Sequence, residues 1–555
     1  MTAAPHLPRL LWPASPGSHL QRPRLSEEAT RDLDLATIAA AMVSSDTPSA
    51  RRGARERFAL NVLRQLTQDP AVIRYRVAVV TDLLRQPALR KQLTELLPSL
   101  EELGSMPNGE RYRPTADPSP SLERVARRLA DLELLVDVVV RLDQMLLEAD
   151  CASDGLRALT LAIGEMRHSS TFESLEQELP GLRATLATVR SLTVGINLGA
   201  DLLPTSATIL GFSSEAVEGR RSLLWRLLGD NPEYRGISPL QRGEGGPRSR
   251  SNELLRDLRQ LLGRVVEPVR SALEQYDHVN ASALRELGAE LAFLLGAANL
   301  VEQLRECGLP MCPPEPLLAT DRRARLDEAY DLSLAIASRS AESRIVTNTI
   351  MFDAARGRVW VLTGPNHGGK TTYIRAVGVA QVLFQAGLYV PARAAGLSPV
   401  DAIYTHFPAR EDAHPGQGRL DAEAERLATI FRGATEHSLI LLNEALAGTS
   451  ALEALDLARG IVRALRVLGA RAVYVTHLHE LAAAVEDINA STPGDGTVAS
   501  LVAVAGEGAG LHARTYLIRP GPPAGTSYAA EIAEQHGISF EQLARLLRER
   551  HPPPA

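Results

Sequence analysis

Residues 359–379, VWVLTGPNHGGKTTYIRAVGV, place strand-forming residues, a glycine-rich turn and a helical segment in immediate succession. That order commits the surrounding chain to a strand, a phosphate-sized turn and a helix whose N-terminus faces the turn. Residues 364–371, GPNHGGKT, fit G-x-x-x-x-G-K-[ST]. Gly364, Gly368 and Gly369 let the backbone curl until its N–H groups face a phosphate chain, with Pro365, Asn366 and His367 completing the loop. The following helix adds the partial positive charge of its first turn. Lys370 then reaches the β- and γ-phosphates, Thr371 places its hydroxyl on Mg²⁺, and Thr372 continues the helix start. The expectation is a site for ATP and Mg²⁺.

The choice of cation at this loop supports that expectation. Of 60 basic residues only Lys91 and Lys370 are lysines. A lysine kept against so strong a preference for arginine suits a place that needs a compact ammonium on a flexible stem. Lys91 lies in an ordinary helical stretch.

Around this loop the pattern is that of a parallel sheet with crossover helices. The short runs RVWVLTG (358–364), SLILLN (438–443) and RAVYVTH (471–477) alternate with helical segments, and TVASLVAVA and LHARTYLI flank GEGAG as a hairpin. Once phosphates sit on the loop, the tips of neighbouring strands acquire roles. Asn443 stands where an acid would hold Mg²⁺ and would act through water; Glu444 is placed to orient the attacking water. His477 ends another strand, either as a cap or as a sensor of the γ-phosphate.

Residues 26–335 read differently, as an all-α helical core or lever region. RERFALNVLRQL, AVIRYRVAVVTDLLRQPALRKQLTELLPSLEELG, SLERVARRLADLELLVDVVVRLDQMLLEA and ASALRELGAELAFLLGAANLVEQLREC carry apolar residues at three- and four-residue spacing. Residues 1–25 hold five prolines and no sustained period, which predicts a mobile or loosely docked arm. Between 220 and 250, seven arginines face three acids, a local +4 in a chain of net charge −6. This basic loop suits either a phosphate backbone or solvent. At 555 residues with 45% hydrophobic content the chain can build several cores. Its apolar runs are too short to span a bilayer, and three cysteines make no disulfide framework, so a cytoplasmic protein without membrane contact is expected.

The stretches TGPNHGGKTTYIRAVGVAQVLFQAGLYVPA, DAIYTHFPAREDAHPGQGRLDAEAERLATIFRGATEHSLILLNEALAGTSALEALDLARGIV and VYVTHLHEL resemble, in order and spacing, the ATPase domain of the MutS family of DNA mismatch-repair proteins, a branch of the ABC-type ATPases. RIVTNTIMF upstream and YLIRPGPPAGTSYAAEIAEQHGIS downstream extend the likeness, the latter as a dimerising tail. The resemblance implies an arm (1–25), the helical region (26–335), an α/β ATPase domain (336–530) and a C-terminal helical dimerisation tail (531–555). It implies a homodimer with composite ATP sites, in which 416–423 reaches the partner's nucleotide, and DNA, duplex or branched, between lever helices. None of the nine phenylalanines has Glu two places on, so the resemblance is to a short member lacking the family's mismatch-reading wedge. Gly418 stands where the family has serine. The runner-up expectation is a nucleotide-gated scaffold with little turnover, holding another protein.

Overall fold

The computed structural model describes residues 7–13, 23–105, 122–187, 191–198, 200, 204–213, 215, 269–274, 276, 282–338, 345–366, 368–408, 419–446, 450–505, 514–523 and 537–550. Helices α1 (Glu27–Asp32), α2 (Leu35–Ala41), α3 (Ser49–Leu63), α4 (Pro70–Arg85), α5 (Pro87–Ser105), α6 (Leu122–Glu148), α7 (Asp154–Arg167) and α8 (Ser170–Ala187) come first. Strands β1 (Ser191–Leu198) and β2 (Pro204–Ser213) follow, then α9 (Ser282–Glu306), β3 (Glu315–Pro316), β4 (Ala324–Ala329) and α10 (Leu332–Ser338). The rest alternates: β5 (Asn348–Phe352), β6 (Val359–Thr363), α11 (Lys370–Ala386), β7 (Ala394–Leu397), β8 (Ile403–His406), α12 (Arg419–Gly433), β9 (Leu439–Asn443), α13 (Ala451–Leu468) and β10 (Arg471–Val475). The last described elements are α14 (His479–Ala483), α15 (Val485–Ser491), β11 (Val498–Ala505), β12 (Arg514–Pro520) and α16 (Phe540–Arg550).

Local chemistry accounts for the helix boundaries. Asp69 caps α4 by accepting from the Ala71 amide at 2.8 Å, with Pro70 at the first helical position, where its missing N–H costs nothing. The helical spacing over 71–104 is divided at Pro87, so that α4 ends at Arg85 and α5 begins at Pro87. Ser450 starts α13 by accepting from the Glu453 amide while its hydroxyl bonds the Glu453 carboxylate.

Two compact units emerge. One comprises residues 1–7, 95–148 and 159–288; the other comprises 8–94, 149–158 and 289–555. The helical region expected over 26–335 therefore does not cluster as one body, since 8–94 groups with the strand-rich part. It is also not all helical: SLTVGINL and PTSATILGFS pair antiparallel as β1 and β2. In β1, Leu192, Val194, Ile196 and Leu198 stand at every second place, a period of two that the flanking helical pattern obscured. The basic loop 220–250 lies outside the described residues.

In the larger unit a six-stranded sheet has the order β12-β11-β6-β10-β9-β8, parallel except for the antiparallel edge pair β11–β12. A second sheet runs β3-β7-β4-β5. On one face of the large sheet, Ile440, Leu442, Ala472 and Tyr474 form a core with Leu427, Val462 and Leu465 of α12 and α13. On the other face lies α11, where every residue from Ala376 to Ala386 is buried. Gly378 makes this possible, because a Cβ there would meet Leu33 at 2.4 Å and Leu441 at 2.9 Å. The two glutamines inside α11 are satisfied: Gln381 donates to Gln385 and Ser398, and Gln385 donates to Thr67 and Val400 while accepting from the Val400 amide.

The arm is seated where it is described. Leu10 and Leu11 are fully buried, and their amides both donate to the Glu290 carboxylate, at 2.6 and 3.2 Å. Two leucines with a buried anion to cap their amides outweigh the disorder expected from the prolines. Within α9, Ala283–Glu306 is long and apolar enough to cross a membrane, but 72% of its apolar window is buried inside the protein, as in a core helix.

His406, 3% exposed at the end of β8, has its pKa pushed down to about 4 from 6.5, first by burial and then by Arg426. The unfolded chain thus binds a proton that the folded chain refuses between these values, so this contribution to stability is complete above pH 6.5 and is lost as pH falls towards 4. His406→Leu is expected to flatten the urea-unfolding stability between pH 4.5 and 7 by about 1–3 kcal/mol relative to the wild type; equal pH slopes in the two proteins would contradict this.

Candidate nucleotide site

The sheet's parallel strands end together, and the candidate residues stand on those ends. β6 runs into Gly364, β9 into Glu444, and β10 into His477 one residue beyond Thr476. Gly364 has φ of 142°, and a Cβ on it would lie 2.6 Å from the Ala503 side chain of β11. Gly369, at φ of 87°, caps α11 in the left-handed region. The loop is therefore held by glycine on one side and by a neighbouring strand on the other.

Lys370 is 5% exposed, and its Nζ donates to the carbonyls of Gly364 and Pro365 at 2.8 and 3.0 Å. Burial lowers its pKa, and the Glu444 charge opposes that shift. The ammonium is folded back on its own loop, where a phosphate would replace two neutral carbonyls with a charged acceptor. Thr371, next to it, is exposed.

Asn443 is 4% exposed, and its Nδ2 approaches the Thr371 hydroxyl at 3.4 Å. Its Oδ1 is buried without a hydrogen-bond partner. A buried amide oxygen left bare is costly, and here it points to a missing donor of the kind a metal-bound water supplies. Two neutral oxygens, Thr371 Oγ1 and Asn443 Oδ1, suit a hard cation that keeps most of its waters, as Mg²⁺ does. Among the described residues no cluster of three or more His, Cys, Asp or Glu offers a further cation site.

Glu444 follows at φ of 52°, and Leu446 at 68°. Their strained backbone is pinned by the Glu444 amide donating to Val475 at 2.9 Å and the Leu446 amide donating to the Glu423 carboxylate at 3.0 Å. Glu444 Oε1 lies 3.0 Å from His477 Nε2, and this hydrogen bond is the main cause of a lowered Glu444 pKa. The structure thus brings Gly364, Gly368, Gly369, Lys370, Thr371, Asn443, Glu444 and His477 to one end of the sheet, with Pro365, Asn366 and Thr372 on the same loop and helix start. His367 and Gly418 lie outside the described residues.

One residue escaped the sequence reading. Tyr516, in β12 at φ of 56°, comes within 3.5 Å of where a Gly369 Cβ would stand. Asn348 fixes it by donating to the Tyr516 carbonyl and accepting from the Ile518 amide. The only signal was an aromatic in a hairpin strand, which reads as ordinary β-propensity.

With this geometry in view, comparison with known proteins separates two regions. A family model described as MutS domain V matches residues 360–539, and one described as MutS2 N-terminal domain matches residues 68–307. Both regions are thus similar to parts of MutS-family proteins. The DNA mismatch repair protein MutS of Synechococcus sp. is 34% identical over 211 residues, which are 38% of this chain and 23% of the relative. DNA mismatch repair protein MutS 2 of Halobacterium salinarum is 37% identical over 205 residues, 36% of this chain and 22% of that protein. MutS of Thermus aquaticus is 36% identical over 185 residues, 33% and 22% of the two chains. The chain thus matches less than a quarter of the length of these MutS relatives.

A methyl group at Gly364 would have to enter Ala503 from a backbone angle that L-residues rarely adopt. Gly364→Ala is expected to lower unfolding stability by about 2–3 kcal/mol. Gly460→Ala in α13, where nothing lies within 4 Å of the new Cβ, should raise it by about 0.5–1 kcal/mol. Urea unfolding of the two variants checks both signs.

Proposed function

We propose that this chain binds ATP with Mg²⁺ and hydrolyses it slowly, as the homodimeric, cytoplasmic motor of a clamp on duplex or branched DNA in repair or recombination. The observation that carries the reading is the convergence of Lys370, Thr371, Asn443, Glu444 and His477 on one end of a parallel sheet, directly beside a glycine-pinned loop. The likeness of residues 68–307 and 360–539 to MutS-family models supports the DNA side of the proposal, and the basic segment 220–250 has a composition suited to phosphate contacts.

In this reading the loop amides around Gly364, Gly368 and Gly369, with the first turn of α11, hold the β- and γ-phosphates. Lys370 leaves the Gly364 and Pro365 carbonyls to meet them, and Tyr516 offers its ring to the base. Mg²⁺, when bound, neutralises phosphate charge as it develops in the transition state. Thr371 and Asn443 would hold it, Asn443 through water. Glu444 gives up His477 to orient the attacking water, and His477 turns to the γ-phosphate. Both groups are restrained by each other until a phosphate competes for the imidazole.

The bare Oδ1 of Asn443 supports a second reading as well. A neutral amide in place of a carboxylate removes one negative charge beside the cation, which weakens metal binding or rate by about 10- to 100-fold when it acts through water. A chain of this kind can hold nucleotide as a switch for a protein partner with little turnover.

Two substitutions and one titration test the proposal. Asn443→Asp is expected to lower the Mg²⁺ concentration for half-maximal hydrolysis by about tenfold or more; an unchanged Mg²⁺ midpoint would remove the role given to Asn443. Glu444→Gln should retain bound ATP while phosphate release stops. Gel-shift affinity for a branched duplex should fall steeply between low and physiological salt; no DNA binding even at low salt favours the scaffold.

A further inference from the structure

The P-loop helix α11 is gripped at its far end by a residue from another part of the chain. Arg76 of α4 is fully buried, and its Nη1 donates to the carbonyl of Ala386, the last residue of α11, at 3.1 Å. Its Nε donates to the Leu11 carbonyl at 2.6 Å, and its guanidinium lies 3.8 Å from the centroid of the Trp12 ring. One planar cation therefore joins the helix that starts at Lys370 to the strap of residues 8–13. Gly387 is shaped to this contact: it takes φ of +74°, and a Cβ there would come within 2.4 Å of the Arg76 side chain.

The strap is itself anchored on both sides. The Tyr75 hydroxyl donates to the Arg9 carbonyl at 3.0 Å, and Arg9 pairs with Glu290 at 3.2 Å. Glu290 is 3% exposed and accepts the Leu10 and Leu11 amides, so the strap supplies the donors that let a carboxylate sit inside α9. Trp12 then closes over Arg76, where a desolvated cation on an indole face is held most strongly.

We propose that the Pro8–Pro13 strap is a positioning element of the nucleotide site, with Arg76 as the positioning residue through which it sets the seat of α11. The proposal rests on the reading of the glycine loop as a nucleotide site. A helix of 17 residues is a rigid rod of about 25 Å, so a shift at Ala386 moves Lys370 and the amides of the first turn. Arg76 can hold Ala386 in place only while Leu11 and Trp12 hold Arg76. No atom of the strap needs to touch nucleotide.

The test titrates a fluorescent ATP analogue with Mg²⁺ into wild type, Trp12→Phe, Trp12→Leu and, as the control for the site, Lys370→Ala. Phenylalanine keeps a ring under Arg76, whereas leucine keeps the apolar bulk without the π face. Trp12→Phe is expected to bind within about twofold of wild type. Trp12→Leu should weaken binding by about 5- to 30-fold at a temperature where it is fully folded, with KM raised and kcat nearly unchanged. Trp12→Leu binding as wild type overturns the proposal, as does a loss in both variants that merely follows their loss of thermal stability. Should Trp12→Leu not fold, linkage provides the second measurement on the wild type. Binding energy coupled to the strap must slow hydrogen exchange at the Leu10 and Leu11 amides when the analogue is added; unchanged exchange there overturns the proposal. Absence of binding by wild type, with Lys370→Ala no different, overturns instead the reading of the site on which the proposal stands.

Discussion

The constraint on which the larger unit depends is the burial of α11 on every side from Ala376 to Ala386. A helix that begins at a phosphate loop and shows no water-facing stripe must be covered by sheet on one face and by other helices elsewhere. The sheet supplies Leu441, and the turn between α1 and α2 supplies Leu33. This is why residues 8–94 group with the strand-rich part of the chain. Arg375 extends the same logic, since it bonds the Asp32 carbonyl of α1 and the buried carboxylate of Asp331 from one position on α11. The nucleotide candidates at the front of α11 are therefore tied mechanically to segments hundreds of residues away in sequence.

The site is arranged as a set of groups that satisfy one another. Lys370 rests on its own loop carbonyls, Glu444 on His477, and the Asn443 amide on Thr371. Asn443 Oδ1 is the exception among these, buried and unpartnered. Each satisfied contact is one that a polyphosphate with its cation would exchange for a stronger, charge-assisted one. Such an arrangement keeps charged side chains from lying bare in a half-buried pocket, and it leaves the strained turn at Glu444 and Leu446 intact.

Much of this was legible in the sequence, for physical reasons. The glycine loop is local, so its spacing alone predicts strand, turn and helix. β6, β9 and β10 are short apolar runs bounded by polar residues, and they form where those runs lie. The β1–β2 hairpin was hidden because a short period-two stretch inside a long helical region is outweighed by its neighbours. The strap was misread because prolines and the absence of periodicity speak to local order, whereas its anchor, Glu290, lies about 280 residues away. Tyr516 was invisible for a similar reason: its position over Gly369 is set by strand pairing and by Asn348, not by any motif.

The central claim is that the loop, the strand tips and α11 form one pre-seated nucleotide site whose charged groups change partners on loading. A crystal structure of the chain with a non-hydrolysable ATP analogue and Mg²⁺ tests it most directly. The account predicts Lys370 Nζ on the phosphates and off the Gly364 and Pro365 carbonyls, Glu444 parted from His477, and Arg76 still on Ala386. Nucleotide bound elsewhere, or Lys370 still on its own loop with phosphates present, would contradict it.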